Sequence, residues 1–211
     1  MKIAICWESE YMKDWLGNKR STFAMLGASN HSEKQREIND FYATDPMALE
    51  AFLKALERDG FKLHNRIWEC ACGQGHLSEV LKNNGYSVYS TDLIDRGYGD
   101  YTGDFLKLRT TGTQDILTNP PYKYAEEFVE HALDVLEDNY YCIMLLKIQF
   151  LEGQKRRKLF EKYPPKFIYV HSKRIDCCIN GDFENNRGSA ICYCWFIWEK
   201  GFKGEPAIRW I

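Results

Sequence analysis

The sequence predicts an α/β domain built on a doubly wound, mostly parallel sheet. Three observations carry that expectation. Short apolar runs alternate with stretches whose apolar residues recur at helical spacing, the pattern of strands joined by crossover helices. One run, "YYCIMLLKIQF" (140–150), is apolar almost throughout, as a strand covered on both faces should be. A third stretch, "RIWECACGQGHLSEVLKNNG", reads as a strand that passes through a glycine turn into a helix. With 211 residues, 45% of them apolar, the chain can fill one core of this kind.

Residues 1–40 are mixed and polar, with Gly17, Gly27 and "SNHSEKQRE", and read as an N-terminal arm with a short strand at "KIAIC". A single domain is expected over 41–211. It opens with "ATDPMALEAFLKAL", where Asp45 is the N-cap, Pro46 suits the first turn, and Ala48, Leu49, Phe52, Leu53 and Leu56 form the apolar stripe. After the strand–turn–helix comes a second strand, "YSVYSTDL". "DILTNPPY" (115–122) is a strand stopped by two prolines, neither of which can donate to a sheet ladder. "YAEEFVEHALDVL" is a helix buried through Ala125, Phe128, Val129, Ala132, Leu133 and Leu136. "EGQKRRKLFEKY" is a short basic helix halted by Pro164 and Pro165. "KFIYVHSKRI" and "AICYCWFIWEK" are the last two long strands, with no helix between them. They are therefore expected to form an antiparallel hairpin at one edge, around the polar insertion 176–189.

Charge and cysteine content narrow the function classes. Net charge is −2, so there is no global basic signature for nucleic acid, but Leu151 to Ile175 carries eight Lys/Arg against two Glu. No apolar run approaches a membrane span, and "MKIAICWESE" turns acidic too early for a signal peptide. Cys70/Cys72 and Cys192/Cys194 are C-x-C pairs read as lying inside strands, both members on one face, so core thiols are expected rather than a metal site. Reduced thiols and a cytoplasmic location are the matching expectation.

The glycine turn and the acid closing the next strand belong together. G-x-G alone is a weak signal and lacks the third glycine of a dinucleotide site. With Asp92 about 20 residues on, where a carboxylate can accept from both hydroxyls of a ribose, a nucleoside cofactor is the favoured reading.

"ECACGQG" together with "DILTNPPY" resembles the class I S-adenosylmethionine-dependent methyltransferases, specifically the N6-adenine amino-methyltransferases with an Asn-Pro-Pro-Tyr motif. The resemblance runs from about Phe41 to Lys200 and implies a Rossmann-like fold. It implies that Glu69, Cys70, Ala71, Gly73 and Gly75 hold the methionine end of S-adenosylmethionine, that Asp92 takes the ribose, and that Leu93 packs on the adenine. Asp104 and Phe105, in "GDF", would serve the adenine amino group and ring, and Tyr42, Ala43 and Thr44, in "FYATDP", would cradle the methionine carboxylate. "FYATDPMAL" and "GASNHS" are also similar to small methyltransferases of phages and prophages.

That family's chemistry explains the prolines. An exocyclic adenine nitrogen is a poor nucleophile, because its lone pair is delocalised into the ring. Two acceptors on its hydrogens, the Asn119 side-chain oxygen and the Pro120 carbonyl, localise that pair and aim it, and Pro120 and Pro121 stiffen the geometry. Tyr122 offers a stacking face. The adenine must be flipped from a DNA duplex or come from a single strand, and Tyr193 and Trp195 are candidates for a second wall. Lys147, Lys155, Arg156 and Arg157, followed by Lys158, are candidate phosphate contacts.

The chain departs from restriction-type relatives in having no stretch long enough for a target-recognition domain outside 1–40 and 176–189, so short or relaxed sequence preference is expected. RNA adenine methylation, methylation of a protein glutamine amide, a noncatalytic binding subunit and a nicotinamide oxidoreductase remain as alternatives.

Overall fold

The computed structural model describes residues 42–109, 112–175, 177–179 and 191–211. The expected arm 1–40, with its "KIAIC" strand and Ser29-Asn30-His31, and most of the 176–189 insertion lie outside the described residues.

Helix α1 (Pro46–Arg58) starts where its cap dictates: Asp45 Oδ1 accepts from the Met47 amide at 2.9 Å. Its stripe of Ala48, Leu49, Phe52, Ala55 and Leu56 is buried. Strand β2 (Arg66–Glu69) leads into α2 (His76–Asn83), which returns to β3 (Ser87–Asp92) and the two-residue β4 (Tyr101–Thr102). β5 (Asp115–Thr118) stops before the two prolines, and α3 (Ala125–Val135) follows. β6 (Tyr141–Lys147) is buried from Cys142 to Leu146. It gives way to a 3-10 turn (Ile148–Leu151) rather than running on to Phe150 as the apolar stretch suggests. The basic helix is α4 (Gln154–Lys162).

β7 (Phe167–Val170) and β9 (Tyr193–Glu199) pair antiparallel, and β9 is also antiparallel to β6. A short strand unassigned from sequence, β10 (Ala207–Trp210), adds parallel outside β7. The main sheet runs β10-β7-β9-β6-β5-β2-β3-β4, parallel from β6 to β4. A second, two-stranded ribbon pairs β1 (Tyr42–Thr44) with β8 (Cys177–Ile179), Thr44 opposite Cys177. The insertion therefore begins with a strand, where the sequence reads as loop.

The sheet has a core on each face. α1 and α2 cover Ile67, Leu117, Ile143, Leu145, Trp195 and Ile197. α3 and α4 cover Trp68, Ile116, Met144, Leu146, Phe196 and Trp198. Strand order reverses between β2 and β5, so the carboxyl ends of these neighbours open a crevice at the switch point.

Candidate functional site

That crevice is a cavity of about 960 Å³, at the upper end of the range for small-molecule sites. β2 delivers Glu69 to it. The carboxylate is buried, accepts from the Ser78 hydroxyl of α2, and that hydroxyl lies 2.7 Å from Ser90 Oγ of β3. Burial pushes the Glu69 carboxyl up to about 8, with the nearby Asp92 charge adding and the Ser78 hydrogen bond opposing.

Cys70 and Cys72 follow β2 in the turn rather than inside a strand, a correction to the C-x-C reading: the strand ends at Glu69 because the chain must turn there to feed α2. Both thiols are buried, and with Ala71 they line the cavity. Burial raises both thiols, Cys72 to about 12, so neither is a ready nucleophile.

The glycines have internal work. Gly73 (φ 56°) donates its amide to Asp92 Oδ2 at 2.8 Å. Gly75 (φ 86°) lies under the Tyr98 ring, and a Cβ there would fall inside it. Neither glycine is among the residues lining the cavity: the Asp92 carboxylate takes the Gly73 amide and the Tyr98 ring covers Gly75.

β3 ends on Asp92, whose Oδ1 also accepts from the Ile94 amide at 3.0 Å, leaving a rigidly held carboxylate on the cavity wall. Leu93 beside it is 59% exposed, an apolar side chain presented to whatever flat group enters. Asp104 caps the next 3-10 turn through the Leu106 amide (3.1 Å) and pairs with Lys107 at 3.0 Å. Phe105 is buried between Trp68 and Phe128, with centroids at 5.2 and 4.8 Å, and is among the residues lining the wall.

β5 delivers Asn119, whose Nδ2 donates to Thr44 Oγ1 of β1 at 2.9 Å. Asn119, Pro121 and Tyr122 line the cavity; Pro120 is buried and is not among the lining residues. β6 delivers Lys147, whose ammonium lies 4.6 Å from the Tyr122 ring centroid. Ala43 and Thr44 close the wall from the ribbon.

Several sequence-expected residues lie elsewhere. Trp195 is fully buried and stacks on Phe52 of α1 at 4.8 Å, so it is core and not a pocket wall. Alternation along β9 turns it to the face that α1 covers. Tyr193 shares that face and sits behind Tyr122 at 5.9 Å, itself 4% exposed. Lys155, Arg156 and Arg157 are on α4, outside the cavity. Arg156 donates to the Glu152 carbonyl at 2.9 Å and Arg157 to Glu161 at 2.7 Å. The cavity also takes His76, Arg96, Lys123 and Tyr124, which no motif marks. Only their position just after the glycine turn, β3 or the prolines could have suggested them.

These features suit an S-adenosyl nucleoside: room for it, a strand-end carboxylate at ribose position, an exposed apolar side chain beside it, and a second acid facing the other half. Among the described residues no cluster of three or more metal-ligating side chains occurs, and no helix is long and apolar enough to cross a membrane.

No family model and no curated protein matches the chain. Solved structures match it in fold. A candidate class I S-adenosylmethionine-dependent methyltransferase from Listeria monocytogenes is 13% identical over 90% of this chain and 71% of its own, with a TM-score of 0.57. A candidate RNA methyltransferase from Pyrococcus horikoshii is 13% identical over 85% and 97%, with a TM-score of 0.58. The methyltransferase subunit of a type I restriction-modification system from Streptococcus thermophilus is 14% identical over 79% of this chain but only 46% of that one, with a TM-score of 0.54. At such identities the likeness speaks to architecture, and the architecture is the Rossmann-like fold of class I methyltransferases.

Proposed function

We propose that the protein transfers a methyl group from S-adenosylmethionine to the exocyclic N6 of adenine in DNA. The observation that carries this reading is the convergence of Asn119, Pro121 and Tyr122 with the Asp92–Leu93 strand end on one cavity at the switch point. A nucleoside on the Asp92 side and a planar amine on the Asn119 side would lie within reach of each other there.

When bound, S-adenosylmethionine supplies an electrophilic methyl group. The chain supplies the rest. Asp92 holds the ribose hydroxyls, Leu93 covers the adenine ring, and Glu69 faces the methionine ammonium. Asn119 Oδ1 and the Pro120 carbonyl accept from the two hydrogens of the substrate amine, localising its lone pair. The Tyr122 ring takes the substrate base by stacking. No strong base is needed, since the methylated nitrogen loses its proton readily afterwards. The high-lying thiols of Cys70 and Cys72 make covalent catalysis by this chain the weaker option. The base reaches the cavity flipped out or from a single strand, and the basic α4 supplies phosphate contacts outside it. The name of the Streptococcus thermophilus neighbour is in keeping with a DNA substrate.

The test is transfer of tritiated methyl from S-adenosylmethionine to DNA, RNA and protein in parallel. Label in DNA recovered as N6-methyladenine is expected. Label in RNA or protein alone would replace DNA by that substrate, and no label in any would end the reading. Asn119→Ala should leave cofactor affinity nearly unchanged while turnover falls about a hundredfold, the scale for one preorganised polar contact. Near-normal turnover in that variant would remove Asn119 from the mechanism.

A further inference from the structure

An asparagine can present either of two nearly identical ends to a ligand, and the two have opposite hydrogen-bonding character. A substrate amine needs the acceptor end. Turned the other way, Asn119 would offer N–H groups to the N–H groups of the amine. Something must therefore hold the amide in one orientation before substrate arrives.

We infer that Thr44 is a positioning residue for Asn119: its hydroxyl takes the Nδ2 end of the amide and so aims the Oδ1 end at the reacting amine. This rests on the proposed chemistry at Asn119. Three observations support it. Nδ2 lies 2.9 Å from Thr44 Oγ1, within good hydrogen-bond distance. Thr44 is 3% exposed, so water does not compete freely for its hydroxyl, and a lost partner there would leave the amide poorly satisfied. Thr44 is itself anchored, because β1 stands off the main sheet and is paired with β8, Thr44 facing Cys177. Sequence resemblance gives the Thr44 hydroxyl a different duty, on the cofactor carboxylate. In the structure its partner comes from the end of β5 instead, 75 residues along the chain.

The two duties separate experimentally. Thr44→Val keeps shape and removes the hydroxyl; Thr44→Ser keeps the hydroxyl. With the full chain, turnover at saturating S-adenosylmethionine, calorimetric cofactor affinity and thermal midpoint are measured for each. The Asn119 side-chain amide signals, assigned by their loss in Asn119→Ala, are followed by ¹H–¹⁵N NMR.

Thr44→Val should lower kcat about tenfold to a hundredfold with cofactor affinity unchanged, and Thr44→Ser should restore it. In the free protein, one Asn119 amide proton should be protected from exchange in wild type and Thr44→Ser and lose that protection in Thr44→Val. Normal kcat in Thr44→Val, a loss cured by excess cofactor, or Asn119 signals indifferent to the substitution would each overturn the inference. Failure of the DNA reading shows earlier, in the wild type alone. If the label then appears in RNA or protein, the same variant ratios apply to that substrate, and the amide signals decide the Thr44–Asn119 bond without turnover.

Discussion

Glu69 shows how far one residue's chemistry is set by its surroundings. An acid with an ordinary value of 4.5 is raised to about 8 because β2 ends it inside the fold, with the hydroxyl and backbone amide of Ser78 and the Lys82 charge compensating only in part. Its folded value lies above its unfolded one, so the folded state binds the proton more tightly. That preference contributes fully below about 4.5 and is lost as pH rises through about 8. Stability of the unliganded protein should therefore decline across that window, and Glu69→Gln, which cannot ionise, should flatten the decline. Denaturant midpoints at a series of pH values measure both. A wild type whose profile matches that of Glu69→Gln would show that the carboxyl ionises in the folded protein as it does in solution. At this same scale, alternation along β9 put Trp195 and Tyr193 on a common face correctly, but spacing carries no information on which face meets the cavity. That was decided by Phe52, which arrives from a helix 143 residues earlier and stacks on Trp195.

The β2–turn–α2 element joins two constraints at one glycine. Gly75 has a φ of 86°, which L side chains rarely adopt, and the Tyr98 ring covers the place a Cβ would need. That ring is held by its hydroxyl, which donates to Glu79 and accepts from Lys82 at 2.9 Å, both on α2. Gly75→Ala should cost about 1–2 kcal/mol from backbone conformation alone, plus the displacement of Tyr98. Adding Tyr98→Ala in that background should recover the second part and leave the first, as read from chemical denaturation. A double variant no more stable than Gly75→Ala would mean the ring is not the obstacle. The element was legible in the sequence, because a strand, a glycine turn and a helix are local patterns. So were the ends of β3 and β5, since an acid and two prolines mark where those runs stop. β1, β4, β8 and β10 were not: no apolar run marks them, and what makes each a strand is the partner that tertiary folding brings alongside. The cysteine turn was misread for a related reason, since buried small residues look alike in a strand and in a tightly packed turn.

Over the whole molecule, charge is nearly balanced, 28 Lys/Arg against 30 Asp/Glu, so long-range attraction to nucleic acid must come from an uneven distribution. α4 carries a concentration of positive charge, and its four successive cations Lys155, Arg156, Arg157 and Lys158 are not equivalent. Arg156 is engaged with the Glu152 carbonyl and lies over the Phe150 ring at 5.0 Å, so replacing it would disturb packing. Arg157 forms an exposed pair with Glu161, an arrangement worth only a few tenths of a kcal/mol and readily surrendered to a phosphate. Lys155 and Lys158 are exposed and three residues apart, hence neighbours on one helix face. If α4 grips the DNA backbone, each cation that meets a phosphate releases a counterion on binding. The slope of log affinity against log salt then changes by about 0.9 per contact for duplex and about 0.7 for single strands. Lys155→Glu with Lys158→Glu should weaken binding to all sequences alike and flatten that slope by about 1.4 to 1.8, with no effect on S-adenosylmethionine affinity. Fluorescence anisotropy over a salt series, on duplex and single-stranded oligonucleotides of unrelated sequence, reads both quantities. An unchanged slope would move the nucleic acid off α4. A loss confined to one sequence would make these lysines readers of bases, not holders of the backbone.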